Sequence, residues 1–339
     1  MNDSDIGESG AMRIAVLAGG VGGARFTRGL LHELDRRGQA HEVTVVANTG
    51  DDMWLTGLRV CPDLDTMMYT LGGGINEDQG WGRPDETART SGEIHAYGLG
   101  WPWFTLGDLD LGTHIVRTDL LRRGRTLSEV TRFLCERWRP GVRLLPMSDE
   151  PVETHVRLAE DADEHSAGDL IHFEEWWVRY RAGVRVTEFV QVGVEDAVAA
   201  PGVIGAIATA DVVILPPSNP VVSIGTILGV PGIREALQTT RARVVGLSPI
   251  IGDAAVRGMA DECLRVIGVE TSAEAVGLHF GARSAGGVLD GWLVDEVDAA
   301  AVRVLEAAGI RAAAIPLWMR DVPTTAAMAR EALALVAAP

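Results

Sequence analysis

Two segments near the N-terminus constrain the fold more than anything else in the chain. One is a glycine-rich turn, VLAGGVGGARF at 16–26; the other is an acidic cluster made of NTGDD (48–52) and CPDLDT (61–66). The first follows an apolar run at 13–17 and the second another at 43–47, each with the length and character of a strand buried on both faces. In a parallel sheet both loops fall at the carboxyl end, where doubly wound folds bind their ligands. Phosphate and metal chemistry is the first expectation for such an edge.

Composition narrows what else the chain can be. Its 339 residues are 47% hydrophobic and 23% charged, enough apolar content for one large core or two modest ones. A formal net charge of -17 weighs against a general affinity for nucleic acid or an anionic membrane. The cysteines, Cys61, Cys135 and Cys263, fit neither a disulfide framework nor a zinc ribbon and read as small buried residues. All 30 basic residues are arginine, which removes the phosphate-loop lysine and any Schiff-base or catalytic lysine. Anions must therefore be held by arginine, backbone N–H groups or a metal. Residues 1–11 are polar and acidic, and no later run approaches the ~18 apolar residues of a membrane helix. The expectation is a cytoplasmic protein.

Along the chain, 12–75 reads as strand, glycine turn, helix (23–36), strand, acidic loop and a helix begun by Asp63 or Asp65. Residues 76–195 are less regular, with Gly-Trp punctuation, a helix near 126–138 and a hairpin over 153–180 around a polar tip at 161–169. From 203 onward strands at 211–215, 243–247, 291–295 and 312–316 alternate with helices. The expected class is α/β: a Rossmann-like three-layer fold with a central, mostly parallel sheet. Its core would be 12–75 and 196–339, with 76–195 as an inserted, irregular α/β segment covering an acceptor. The last helix, 324–337, has the alanine-rich look of a surface or dimer-facing element.

The glycines at 19, 20, 22 and 23 let the backbone approach a ligand, and the helix behind them offers free N–H groups to an anion. The run GGVGGAR satisfies neither G-x-G-x-x-G nor the lysine-containing phosphate loop, and a tight turn without ligand also accounts for it. Asp51, Asp52, Asp63 and Asp65 supply four carboxylates of the kind that hold magnesium against substrate phosphates. Against that, Asp51 and Asp52 could form a turn after Gly50 and Asp63 could cap the helix 64–71, so one or two of the four are expected to be only structural. Two later loops, LPPSNPVVSIGTIL (215–228) and GLSPIIGDA (246–254), also follow strands. Their Ser218, Asn219, Ser223 and Ser248 offer hydroxyl and amide groups suited to a base, ribose or phosphate. Each alone is a polar loop; four converging on one edge make a nucleotide cleft.

At this point the chain resembles a known family, the transferases of coenzyme F-420 biosynthesis that act with phospholactyl or phosphoenolpyruvyl groups. The matching segments are GGVGGARF, NTGDD, LRVCPDLDT, LGDLDLGTHIVRTDLLRRGRTLSEVT (106–131), LPMSDEPVETHV (145–156), PPSNPVVSIG and LSPIIG. Thr226 stands where the family often has proline, and RGMAD (257–261) where a GPA-type segment is common. The resemblance implies a guanosine diphosphate-linked lactate or enolpyruvate as donor, the ribityl hydroxyl of the deazaflavin Fo as acceptor, GMP as leaving group, and a homodimer. It implies Mg2+ on Asp51 and Asp65, with Asp63 orienting or deprotonating the hydroxyl. Nucleotide contacts would come from Gly19, Gly20, Val21, Gly22, Gly23, Ala24 and Arg25 in the first turn. Later loops would add Ser218, Asn219, Ser223, Gly225, Ser248, Ile250 and Gly252. Asn48, Thr49 and Trp81 are the acceptor candidates. Trp101 and Trp103 could flank the ring or serve a core, and structural roles are expected for most of His95, His114 and His155. A competing class is a nucleotide-sugar-binding regulatory protein related to gluconeogenesis factor; PDLDT and THIVR favour the transferases. A dinucleotide-dependent oxidoreductase is weaker, because the fingerprint fails.

Overall fold

The run at 12–18 forms a strand whose successive side chains enter two cores. In the computed structural model, which describes residues 10–337, β1 (Met12–Ala18) leads through α1 (Gly20–Arg37) to β2 (His41–Ala47), a small hairpin of β3 (Met53–Leu55) and β4 (Leu58–Val60), and α2 (Pro62–Leu71). Most of the acidic N-terminal stretch, residues 1–9, lies outside the described residues. Next come α3 (Arg89–Ala96), α4 (Asp108–Arg122), α5 (Leu127–Trp138), β5 (Arg143–Pro146), β6 (Glu153–Leu158), β7 (Leu170–His172) and β8 (Val186–Val192). Then follow α6 (Val203–Thr209), β9 (Val212–Leu215), α7 (Ile224–Gly229), α8 (Ile233–Thr239), β10 (Arg243–Leu247), β11 (Ile250–Ile251), β12 (Ala254–Ala255) and α9 (Ala260–Val266). The chain ends with α10 (Ala273–Phe280), β13 (Gly291–Val294), α11 (Ala301–Ala307), β14 (Arg311–Ala314) and α12 (Val322–Ala337).

Seven of these strands pair in parallel in the order β14-β13-β10-β9-β1-β2-β5. Ile14, Val16, Val212 and Ile214 enter one core with α1, α2, α5 and α12. Ala15, Leu17, Val213 and Leu215 enter the other with α6, α8, α10 and α11. The apolar continuity of the strands is thus the signature of a sheet covered on both faces, the α/β three-layer class expected. The strand order reverses between β1 and β9, the point at which such sheets open a ligand crevice. Among the described residues no helix is long and apolar enough to cross a membrane.

Several expectations change in detail. The sheet takes its edge strand β5 from within 76–195, so that interval is not wholly an insertion outside the sheet. The hairpin of β6 and β7 forms and gains a third strand, β8. Helix α5 starts on a capping box in which Thr126 accepts from the Glu129 N–H. Asp63 does not cap α2: Cys61 holds that position, and Pro62 occupies the first helical turn ahead of it.

The expected surface helix is the largest correction. Helix α12 lies against α1, with Ala326, Ala329, Ala332 and Leu333 buried in the core. Its alanines thin the helix so that two backbones can approach, rather than marking a solvent face. At Gly29 of α1 an added Cβ would stand 2.5 Å from Thr325 Cγ2 and 2.8 Å from the Thr325 carbonyl carbon. Gly29→Val should therefore push the helices apart and cost about 1–3 kcal/mol in urea unfolding; unchanged stability would mean that α12 does not depend on this contact.

Candidate functional site

The crevice is held shut at its base by one serine. Gly19, directly after β1, donates its N–H to Ser218 Oγ at 3.2 Å, and that hydroxyl donates to the Gly19 carbonyl at 2.9 Å. The loops after β1 and β9 are thereby locked together at the point where the strand order reverses. A Cβ on Gly22 would run into the Pro217 carbonyl oxygen, and one on Gly19 would stand 2.5 Å from Asp63 Oδ2 and 2.7 Å from Ser223 Oγ. Gly20, at φ +59, then opens α1. The glycines are required by neighbours as well as by any ligand, and Val21 and Ala24 fall within the first turns of α1.

Most of the expected polar contacts on the far side shape their own loops. Asn219 Oδ1 accepts from the Val221 and Val222 N–H groups at 2.9 and 3.2 Å. Ser248 Oγ donates to the Ile250 carbonyl and accepts from the Ile250 N–H. Gly225 donates to the Pro220 carbonyl, and Gly252 to the Asp298 carboxylate.

The acidic loop is organised by Asn48, fully buried after β2. Its Nδ2 donates to Asp51 Oδ2 at 3.2 Å and to Asp63 Oδ2 at 2.9 Å, while its Oδ1 accepts from the Gly50 N–H. One amide therefore draws two carboxylates together. Burial, with the charges of Asp63, Glu174 and Asp52, pushes Asp51 well above the ordinary carboxylate range. Burial raises Asp63 to about 6, against the hydrogen bonds from Asn48 and the Gly20 N–H. Glu174, just beyond β7, is pushed up to about 8 by burial and by Asp63. Asp51 Oδ1 is buried with no hydrogen-bond partner. Asp52 is raised to about 7 by burial, with Arg59 at 3.7 Å as its counter-ion. Asp51 and Asp63, closely set, with an orphaned oxygen on Asp51 and with no ion pair among the described residues, form an all-oxygen donor set that fits a hard divalent ion.

Asp65 faces elsewhere. Residues two apart on a helix do not share a face, so with Asp63 turned to Asn48, Asp65 is turned to α4. It forms a buried ion pair with Arg117, and His114 lies between it and Asp110, with Nδ1 3.6 Å from Asp65 and Nε2 3.4 Å from Asp110. The structure thus brings Asp51 to Asp63 rather than to Asp65. The guanidinium of Arg117 is the counter-charge at Asp65 Oδ1, while Asp65 Oδ2 is buried without a hydrogen-bond partner and its ligand atoms lie within 4.8 Å of those of Asp110 and His114.

Next to the carboxylates stands an aromatic wall. Trp101 and Trp103 stack at 4.7 Å, and Trp101 lies 6.3 Å from His172, which packs edge-on to His155 at 5.3 Å. His172 Nδ1 accepts from the Glu174 N–H, and burial with the neighbouring His155 lowers its pKa to about 4, so the ring is neutral with its proton on Nε2. Thr49 Oγ1 is buried without a hydrogen-bond partner. Trp81 lies apart, 55% exposed, against Arg257. Glu174 and His172 escaped the sequence analysis because they sit in its irregular middle, where β7 ends at His172 and Glu174 falls in the helical turn that follows.

The family model for 2-phospho-L-lactate transferase CofD matches residues 14–316. The chain belongs to this family. It is 60% identical over 324 residues to a phosphoenolpyruvate transferase of Streptomyces griseus subsp. griseus, covering 96% of this chain and 98% of the relative. It is 58% identical over 328 residues to one of Thermobifida fusca, at the same coverage. In fold it is similar to a Bacillus halodurans protein, BH3568, with 16% identity, a TM-score of 0.59 and coverage of 96% and 100%. A crystal structure described as a upf0052 family member from the same organism gives 17%, 0.61, and coverage of 96% and 99%. As a member of the CofD family, the protein is a transferase of coenzyme F-420 biosynthesis.

The raised carboxylates have a consequence for stability. A carboxyl group whose folded pKa lies above its unfolded value holds a proton in the native state that the unfolded chain releases near pH 4. Its stabilisation is present below that pH and is lost as pH rises through the folded pKa. In EDTA the melting temperature should fall as pH rises from about 4 to about 8, the Asp63 share being lost by about pH 6 and the Glu174 share by about pH 8, and added Mg2+ should restore it most at the upper end. Asp63→Asn should raise the metal-free melting temperature at pH 8 and abolish the Mg2+ shift. A lower melting temperature with the Mg2+ shift intact would assign Asp63 a purely structural role.

Proposed function

We propose that the protein moves a phosphoenolpyruvyl group from a guanosine diphosphate-linked donor to the ribityl hydroxyl of Fo and releases GMP. The observation that carries this is the joining of Asp51 and Asp63 through Asn48 beside the Gly19–Gly20 backbone, at the point where the strand order reverses. The relatives' name favours the enolpyruvyl over the lactyl donor. The diphosphate would lie on the glycine turn, with the nucleoside toward the loops after β9 and β10.

Asp51 and Asp63 would hold Mg2+, a change from the pairing of Asp51 with Asp65. When bound, the ion supplies charge neutralisation at the diphosphate. With Asp63 committed to Asn48 and the ion, Glu174 would be the proton acceptor in its ionised form, which a pKa of about 8 makes the major form only above that pH or once the charge of a bound ion lowers it: the acceptor oxygen attacks the substituted phosphorus, its proton passes to that carboxylate, and the bond to GMP breaks. Asp65 would instead fix α2 through Arg117. Thr49 would meet the ribityl chain, and Trp101, Trp103 and His172 would offer the deazaflavin a flat, neutral wall. Asn48, spent on two carboxylates, would shape the site rather than bind the acceptor. The family match and the relatives' names favour the transferase over the regulatory alternative.

Magnesium-loaded protein given Fo and both donors in competition should release GMP and form the phosphodiester product by mass spectrometry, with the enolpyruvyl product dominant. Glu174→Gln should lower kcat by about 100-fold or more with little change in GDP affinity. No GMP from either donor, in folded protein, would overturn the proposal; an unchanged kcat in the Glu174 variant would return the proton to another group.

A further inference from the structure

Beside the glycine turn, the segment at 76–82 lies over the first turn of α1. Gly80, at φ +83, has no room for a side chain: a Cβ would stand 2.9 Å from Val21 Cγ1 and 3.3 Å from Arg257 Nη2. Two arginines reach this segment from different elements. Arg25, four residues after Val21 and so on the same face of α1, donates from Nη2 to the Glu77 carbonyl at 3.2 Å. Arg257, between β12 and α9, donates from Nη2 to the Gln79 carbonyl and lies over the Trp81 ring, 5.6 Å from its centroid.

Among the described residues neither arginine forms an ion pair there, although the charge of Arg25 reaches the Glu77 carboxylate and, after Arg28, helps to lower its pKa. The Glu77 carboxylate is taken by Arg28 at 2.5 Å, and the hydrogen-bond partners of Arg25 and Arg257 are main-chain carbonyls. Among the described residues neither guanidinium has a carboxylate within ion-pair distance. Each gives one N–H to a carbonyl out of the five it carries. The two charges repel: burial and the charge of Arg25 both lower the Arg257 pKa below its ordinary value. In a chain of net charge -17, this repulsion persists one helical turn from a glycine-rich anion cradle, and an anion placed between the two groups relieves it.

We propose that Arg257, together with Arg25, forms a recognition site for the anionic end of the donor, binding phosphate or carboxylate oxygens beyond the reach of the glycine turn. The inference rests on the proposed function in placing a diphosphate on that turn. Charged oxygens are stronger acceptors than carbonyls, so the bound anion displaces Gln79 as partner, and Arg257 acts as a specificity-determining residue.

Two variants separate this from a simple tie between loops. Arg257→Gln keeps an N–H donor for the Gln79 carbonyl but loses the charge; Arg257→Lys keeps the charge but not the fork. Calorimetry with Mg2+ and inorganic pyrophosphate, GDP or guanosine gives the readout. Arg257→Gln should weaken pyrophosphate and GDP about tenfold or more and leave guanosine unchanged, with Arg257→Lys in between and all melts alike. Pyrophosphate and GDP binding within about twofold of wild type in Arg257→Gln would overturn the proposal. So would an equal loss of guanosine, or a wild type that binds no pyrophosphate. A wild type that binds pyrophosphate but not GDP, with binding lost in Arg257→Gln, would sustain the arginine site and remove the guanosine donor instead.

Discussion

The site depends on one amide. Asn48 binds Asp51 and Asp63 through a single nitrogen and so holds together two buried carboxylates that repel each other. Isolated ionised carboxylates in such a setting either take up protons or recruit a cation. The surroundings fit that choice: the folded pKa values rise, and one oxygen of Asp51 is buried without a hydrogen-bond partner. Most of the local architecture follows from keeping this pair in place. The Asn48 N–H is fixed to the Ala18 carbonyl, and the Gly50 carbonyl accepts from the Thr154 N–H of β6 at 2.6 Å. The small antiparallel sheet thus anchors the acidic loop and delivers Glu174 beside it.

The main sheet supplies the other half of the arrangement. Because the strand order reverses between β1 and β9, their loops diverge from a common base, and the Ser218 hydroxyl closes that base against Gly19. The glycine turn therefore has fixed walls: Pro217 and Ser218 on one side, Asp63 and Ser223 on the other. A glycine turn and a pair of buried carboxylates set on rigid loops at one crevice would suit positioning and charge stabilisation, which carry most of the work in phosphoryl transfer.

The layers and the crevice were legible in the sequence because strands buried on both faces leave unbroken apolar runs, and because glycine turns mark close backbone approach. The four aspartates were legible as a cluster but not as partners. Whether Asp51 meets Asp63 or Asp65 depends on the rotation of α2, and that rotation is set by Arg117 on α4, a contact no local pattern encodes. Glu174 was hidden for a similar reason: it reaches Asp63 only through the tertiary placement of β7. The alanines of α12 were ambiguous, since small residues suit a solvent face and a tight helix contact alike, and Gly29 on α1 decides between them. Ser218, Asn219 and Ser248 had the right chemistry for a ligand, yet Asn219 and Ser248 close their own loops and Ser218 ties its loop to Gly19.

The most direct test of the account is the location of the cation. Crystals of the protein grown with GDP and Mn2+, in place of Mg2+, give an anomalous signal that identifies the ion independently of activity. The account predicts a peak on the order of 2 Å from carboxylate oxygens of both Asp51 and Asp63, facing the glycine turn. A peak held instead by Asp65, Asp110 and His114, or none at either place with GDP bound, would contradict it.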